Sequence, residues 1–536
     1  MRRGFQVAGL AFAAGTLAGL AAVYLYLRIQ ASGSRDADHP VPFREPPERP
    51  APREPRVPLF STAVVSGRPE VVDDQRRVLT FRGVSVQAGS PDRVVALGEE
   101  GPFRAWRAAG VNAVEVLVPW EALERAPREL DLDQIQYLRW FLDEAGRNGM
   151  VVLVTHWMEK VSRCLGGVGA PVFAHRAGLV SDPASSAGCA RSEPARWSDL
   201  PRRLRWWADF YEGAWAPDDL SLQDHLIWAF VKLAEVIQRH PALLGYDLIT
   251  GPPCAEQGFW AHFYPAESRC GEALSRFQDR MARALRAVDP DALIVVEDPV
   301  DWTESQRSLA EVPGPLQDRL AVMLRFPVSG AAQTADLFET VRDVASLRPE
   351  VPLFVALSGD VFRDPALRSR DQHVMLDLED ARVSAFVPAP VARDDLRLPC
   401  EFGTFVRPYP MRLAGAPAFW GFDRSEADRM RHDGQPVENR DGFTLEFGRS
   451  DALAESQVFI PRRAIYAEDP ATEAPEFTVD VSDGTWRWAP WDENVLLWEA
   501  RQEMPVHRLV VKPWGGRNAP GTGVLECRIS APQSGP

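Results

Sequence analysis

Four acidic residues, Glu159, Glu297, Asp298 and Asp360, stand where short apolar runs give way to loops. Carboxyl groups gathered at the ends of parallel strands can share acid–base and nucleophilic work. One holds a proton for a leaving oxygen while the other attacks or activates water. Glu297 has the strongest claim, because it directly follows the run ALIVV; the competing reading is a rim carboxylate paired with a nearby Arg or Lys. Glu256 and Glu267 fall in a long loop, and Glu401-Phe402-Gly403 lies late in the chain. Trp120, His156, Trp157, Trp260 and Trp302 also fall near strand ends, where flat rings can stack on a sugar or cover a lipid, or simply pack beneath loops. One strand end carries nothing reactive. GYDLITGPP runs into Thr250-Gly251-Pro252-Pro253 with no ionisable side chain after Asp247.

The elements that must position these groups follow from periodicity. VLTFRGVSV (78–86), VNAVEVLV (111–118), MVVLVTHW (150–157), ALLGYDLI (242–249), ALIVVEDP (292–299), LAVMLRFP (320–327) and PLFVALSG (352–359) read as strands. The near-continuous β-branched runs suit parallel strands buried on both faces. Between them lie helical patterns, such as DLDQIQYLRWFLDEAGRNG (131–149) and LQDHLIWAFVKLAEVIQRH (222–240). Repeated βα units over residues 78–403 predict an α/β (β/α)8 TIM barrel, whose chemistry sits at the C-terminal ends of the strands. Beyond residue 403 the texture becomes GFTLEFG, SQVFIP, FTVDVSDG, VLLWEA, HRLVVKP and GVLECRIS. Short alternating runs split by Gly, Pro, Asp and Asn predict a C-terminal antiparallel β-sandwich at 404–532.

Several stretches together resemble glycoside hydrolase family 5, in its endoglycoceramidase-like branch. They are FRGVSV, GVNAVEVLVPWEALERAP, VLVTHWMEKVSRCLGGVGAP, ALLGYDLITGPP, ALRAVDPDALIVVEDP and VRPYPMRLAGAP. The resemblance implies a retaining glycosidase of glycolipids, with two carboxyl groups about 5–5.5 Å apart. The family's proton donor is the Glu of an Asn-Glu-Pro ending strand four, and its nucleophile is a Glu before Phe-Gly ending strand seven. Those positions fall on Gly251 and Leu357. Glu115 replaces a strand-two arginine, and LAVMLRFP lacks the histidine and aromatic pair of strand six; the strand-three histidine remains as His156. The expectation is therefore a catalytically inactive barrel that binds a glycan, glycolipid or envelope partner, through His156, Trp157, Trp120, Trp260 and Trp302. The alternative is an active hydrolase with carboxylates relocated to Glu159, Glu297 or Asp360.

Composition narrows the partners. The 536 residues carry a net charge of −15 with no long basic run, which argues against nucleic acid. Met1-Arg2-Arg3 precedes an uncharged apolar stretch that reaches to Arg28. That is long enough to span a bilayer as an uncleaved transmembrane anchor at 1–30, with the basic head in the cytoplasm and the body in the periplasmic or extracellular space; Ala31-Ser32-Gly33 leaves cleavage open. Residues 31–77 begin as a Pro-rich stalk. All six cysteines follow the span, as 164, 189, 254, 270, 400 and 527. They suit disulfides in an oxidising space, with local pairing (164 with 189, 254 with 270, 400 with 527) as the expectation and free thiols as the alternative. No spacing suggests a metal site, and no cofactor is expected.

Overall fold

A computed structural model describes residues 60–87, 101–158, 160–175, 200–216, 218–252, 270–297, 319–328, 337–347, 349–359, 361–362, 367–389, 400–422, 442–448, 454–462, 477–501 and 503–513. Eight parallel strands close into a barrel: β1 (Arg82–Gln87), β2 (Ala113–Pro119), β3 (Val151–Trp157), β4 (Leu243–Asp247), β5 (Leu293–Glu297), β6 (Leu320–Val328), β7 (Leu353–Gly359) and β8 (Ser384–Pro388). The predicted helices lie between them. Asp131 caps helix Leu132–Arg147 by accepting from the Gln134 N–H, and Ser221 caps Leu222–Ile237 in the same way through Asp224 N–H.

Strand alternation divides the barrel's apolar residues into two layers. Leu153, Leu293, Val295, Met323, Phe354, Ala356 and Phe386 fill the lumen. Val114, Val116, Val152, Val154, Val355 and Leu357 face the surrounding helices. The lumen is therefore a packed core, and among the described residues its charged side chains lie toward the C-terminal end.

The sandwich pairs a seven-stranded sheet with a four-stranded one. The lead-in before the barrel contributes more than a tether: Ser61–Val65, Arg68–Val72 and Val78–Leu79 pair in sequence and join the large sheet beside Tyr409–Leu413. The run expected as one strand at 78–86 is thus two, with Val78–Leu79 in the sandwich and Arg82 onward in the barrel. Phe81 is where the chain changes sheets, and its ring already packs in the barrel lumen. The sandwich therefore begins in sequence before the barrel and resumes after it. Between the two, Glu379 accepts from Arg82 and Arg407, and Tyr409 Oη donates to Gly110 O at 2.6 Å.

Cys164 is disulfide-bonded. Its partner, and the other expected pairings, lie outside the described side chains. Among the described residues no helix is long and apolar enough to cross a membrane. The expected anchor at 1–30 and the stalk lie outside them, as does GVLECRIS.

Candidate functional site

Four charged residues meet inside the barrel, one from each of four strands. Arg325, on β6, projects into the lumen and its Nη2 reaches Glu115 Oε1 of β2 at 2.7 Å. Its Nε lies 3.0 Å from Glu297 Oε1 of β5, and Nη2 lies 3.8 Å from Asp247 Oδ2 of β4. Glu115 also accepts from the hydroxyls of Ser85 and Thr155. Glu297 also accepts from the backbone N–H of Gly251. All three acids are at most 1% exposed.

Asp247 differs from its neighbours, because neither of its oxygens meets a hydrogen-bond donor. Burial first, and then the charge of Glu297 and a hydrogen bond to it, push its pKa well above the carboxylate range, against the pull of Arg325. That shift favours the protonated acid beside Glu297. Burial pulls the Arg325 pKa down, but Glu115 and Glu297 outweigh it and raise it. Oxygens of the three acids lie within 4.8 Å of one another, close enough to share a cation. The Arg325 guanidinium supplies that charge.

The expected site residues fare unevenly. Glu159, Asp298, Asp360, Trp260, Trp302, Glu256 and Glu267 lie outside the described residues. Glu401 lies in the short helix Cys400–Phe405, after the last barrel strand. Glu297 is placed in the lumen but is bound to Arg325 and Gly251. His156 does not face the lumen. Thr155 takes that side, bonding Glu115, so the next residue along the strand points outward. The His156 ring meets Phe230 edge-on at 5.2 Å, and burial pushes its pKa down to about 3, despite a weaker opposite pull from the Leu248 backbone. Trp120 is fully buried, with its Nε1 donating to Glu124 at 2.7 Å and its ring against Phe173, so it offers no free face to a ligand. Trp157 is half-buried at the end of β3, on the same side of the strand as Thr155.

Neither position expected for a family carboxylate, Gly251 or Leu357, carries a carboxyl group. Gly251 holds a positive φ of 46°, and its N–H is committed to Glu297. On β7 the expected position needs a correction of one residue. Leu357 packs outward among the helices, whereas Ala356 pairs in register with the lumen-facing Arg325, and Ser358 is the next residue on that side. A β7 nucleophile would project from Ser358, which has a hydroxyl and no carboxylate.

Arg325 and Asp247 were missed as site residues, although their signal was present. Glu115 in AVEVLV, Asp247 in GYDLI and Arg325 in AVMLRF are lone charges inside otherwise apolar strands. A charge buried in a strand requires a partner, and these two acids, with Glu297 and one base, already suggest which. Arg325 reaches Glu115 from β6, across the lumen from β2.

No family model matches the sequence, and comparison with curated proteins finds no match. Solved structures do match. Endo-glycoceramidase II from Rhodococcus sp., as a lactosyl-enzyme intermediate, aligns with TM-score 0.63 at 19% identity over 83% of this chain and 99% of its own. Its ganglioside GM3 complex aligns equally well. Sterylglucosidase 1 from Cryptococcus neoformans aligns with TM-score 0.63 at 14% identity, over 87% and 98%. The fold is that of the endoglycoceramidases. Within this endoglycoceramidase fold, the ends of β4 and β7 carry Gly251 and Ser358, and among the described residues the lumen acids Glu115, Asp247 and Glu297 gather around Arg325.

A second polar chain braces the loop after β2. His225, buried in helix Leu222–Ile237, contacts Glu124 Oε1 and Asp218 Oδ1, each at 2.8 Å. Burial pushes the imidazole pKa down, but the two carboxylates outweigh it and raise it above its ordinary value. The stabilisation it brings is complete below the ordinary histidine pKa of about 6.5 and is lost as pH rises through the raised native value. In urea melts across pH 6–9, His225→Gln is expected to lose this alkaline decline while wild type keeps it. Parallel curves would refute the assignment.

Proposed function

We propose that the protein is a membrane-anchored, extracytoplasmic glycan- or glycolipid-binding protein built on an endoglycoceramidase fold, and that it does not hydrolyse its ligand. One observation carries the reading: the two strand ends from which a retaining pair projects bear Gly251 and Ser358, while Glu115, Asp247 and Glu297 are engaged around Arg325. A retaining mechanism needs a free nucleophile and a proton donor on opposite sides of a sugar. Here the acids are at most 1% exposed, and Glu115 and Glu297 are already paired with the Arg325 guanidinium. The half-buried Trp157 remains available to stack on a ring at the end of β3. The related folds that carry a lactosyl group or ganglioside GM3 support glycolipid as the ligand class, and the basic head and apolar stretch at the N-terminus support the anchor.

The test is incubation of purified protein with lactosylceramide or GM3 in mixed micelles, and with aryl lactosides. The expected result is no product above buffer alone, together with glycolipid-dependent sedimentation on vesicles. Hydrolysis abolished by Glu297→Gln would overturn the reading. It would favour an active enzyme in which Asp247, close to Glu297 and with its pKa pushed up, serves as proton donor.

A further inference from the structure

At the opposite, N-terminal end of the barrel, a cavity of about 460 Å³ opens between the sandwich and the outer helices. Small-molecule sites commonly fall at ~300–1,000 Å³ and at domain junctions. Glu70, on the sandwich strand Arg68–Val72, lines one side. Phe338, Val341 and Ala345, on helix Leu337–Leu347, line another, and Leu353 at the start of β7 and Ser384 at the start of β8 form the floor.

Glu70 is the unexplained group. Its side chain is only 12% exposed, and its Oε1 is buried with no hydrogen-bond donor. The nearest cation, Arg68 Nε, lies 3.6 Å away, beyond hydrogen-bonding range. Arg68 Nη2 instead donates to Ala381 O at 3.4 Å, and Arg382 Nη1 to Ala418 O at 2.6 Å. A buried acceptor without a donor is costly, and native proteins rarely retain one without use. Oε1 itself is sealed from solvent, but Glu70 lines the cavity, where a bound donor can meet the 12% of its side chain that stays exposed. Arg68, Arg342 and Arg382 surround it against Glu70 and Asp380, so a cationic ligand is disfavoured.

We propose that this cavity is a second binding site, for a small polyhydroxylated ligand (a sugar or polyol) whose hydroxyls donate to Glu70 while its C–H face lies on Phe338 and Val341. The site sits at the far end of the barrel from Trp157, so it does not depend on the reading of the mouth. Hydroxyl donors bind a carboxylate better than a protonated acid. Burial pushes the Glu70 pKa up to about 7, against Arg68 and Arg382. Binding must therefore tighten as pH rises through neutrality, which water filling a structural void would not reproduce.

The experiment is a calorimetric titration of the full chain with lactose and with glycerol at pH 5.5 and pH 8. A saturable component several-fold tighter at pH 8 is expected. It should weaken at least tenfold in Glu70→Leu, and equally in Ala345→Phe, which fills the cavity from an exposed helix position without touching Glu70. It should survive Trp157→Ala, whereas binding at the mouth should survive both cavity variants. A parallel arm uses lactosylceramide vesicles in the Trp157→Ala background, where mouth binding is removed: residual sedimentation lost on adding Ala345→Phe marks a glycolipid headgroup as the source, and no residual sedimentation beside a retained lactose component marks a free sugar. No saturable component at either pH, or one indifferent to both cavity variants, overturns the proposal and leaves a water-filled cavity.

Discussion

Arg325→Leu is expected to cost about 3–5 kcal/mol of stability at neutral pH, the usual penalty for removing one partner from a buried ion pair. Leucine fills much of the stem's volume, so little of this is packing. The loss comes from Glu115 and Glu297, which face Arg325 at 2.7 Å and 3.0 Å and would be left buried beside Asp247. The penalty should shrink as pH falls, because the stranded acids take up protons. Asp247→Asn is the contrasting variant. Burial and Glu297 push its pKa up and favour the neutral acid, so a neutral amide there should cost little. Because its native pKa is raised, the stability it contributes is present below the ordinary carboxylate range and fades as pH climbs toward the native value. The asparagine variant should lack that fading. Urea melts followed by tryptophan fluorescence between pH 5 and pH 9 test both. Equal stability of Arg325→Leu and wild type at pH 8 would show that the cluster is not an ion network.

The second large effect is at the junction of barrel and sandwich. Glu379, 3% exposed, accepts from Arg407 Nε at 2.9 Å and Nη2 at 3.0 Å, and from Arg82 Nη2 at 2.6 Å. Arg82 begins β1, Arg407 precedes the sandwich strand Tyr409–Leu413, and Glu379 sits on helix Arg368–Ala381 between β7 and β8. Burial already pushes the Arg82 pKa down, and Glu379 is the main group holding it charged. Glu379→Gln leaves two buried guanidiniums facing one neutral amide. A loss of about 3–5 kcal/mol is expected, with unfolding broadening or splitting as barrel and sandwich uncouple. A single sharp transition within ~1 kcal/mol of wild type would mean that the apolar contacts alone join the two units.

Most of the architecture was legible. Alternating βα units, β-branched strand runs and the later change to short split strands predicted a barrel followed by a sandwich, and both are present. The three lead-in strands were not legible. Their pairing with residues 409–413 spans more than three hundred positions, and only closure of the large sheet brings them there. The face of each strand was equally hidden. Side chains alternate with a period of two, so an error of one residue exchanges lumen for exterior. That error put Leu357 where Ser358 stands, and read His156 as facing a ligand when it lies against Phe230.

At the site, sequence and fold answered different questions. The absence of a carboxylate at the end of β4 was visible in GYDLITGPP, because which functional group a residue carries is a local property that no folding alters. What the remaining charges do was not visible. Glu115 and Arg325 are 210 positions apart, and each alone is a lone charge in an apolar strand. Barrel closure turns them toward one another, excludes water and makes their pairing obligatory, because a buried charge must find its counterion within reach. The residue types thus established what the barrel lacks, and the closed lumen decided that the acids it retains are held by Arg325.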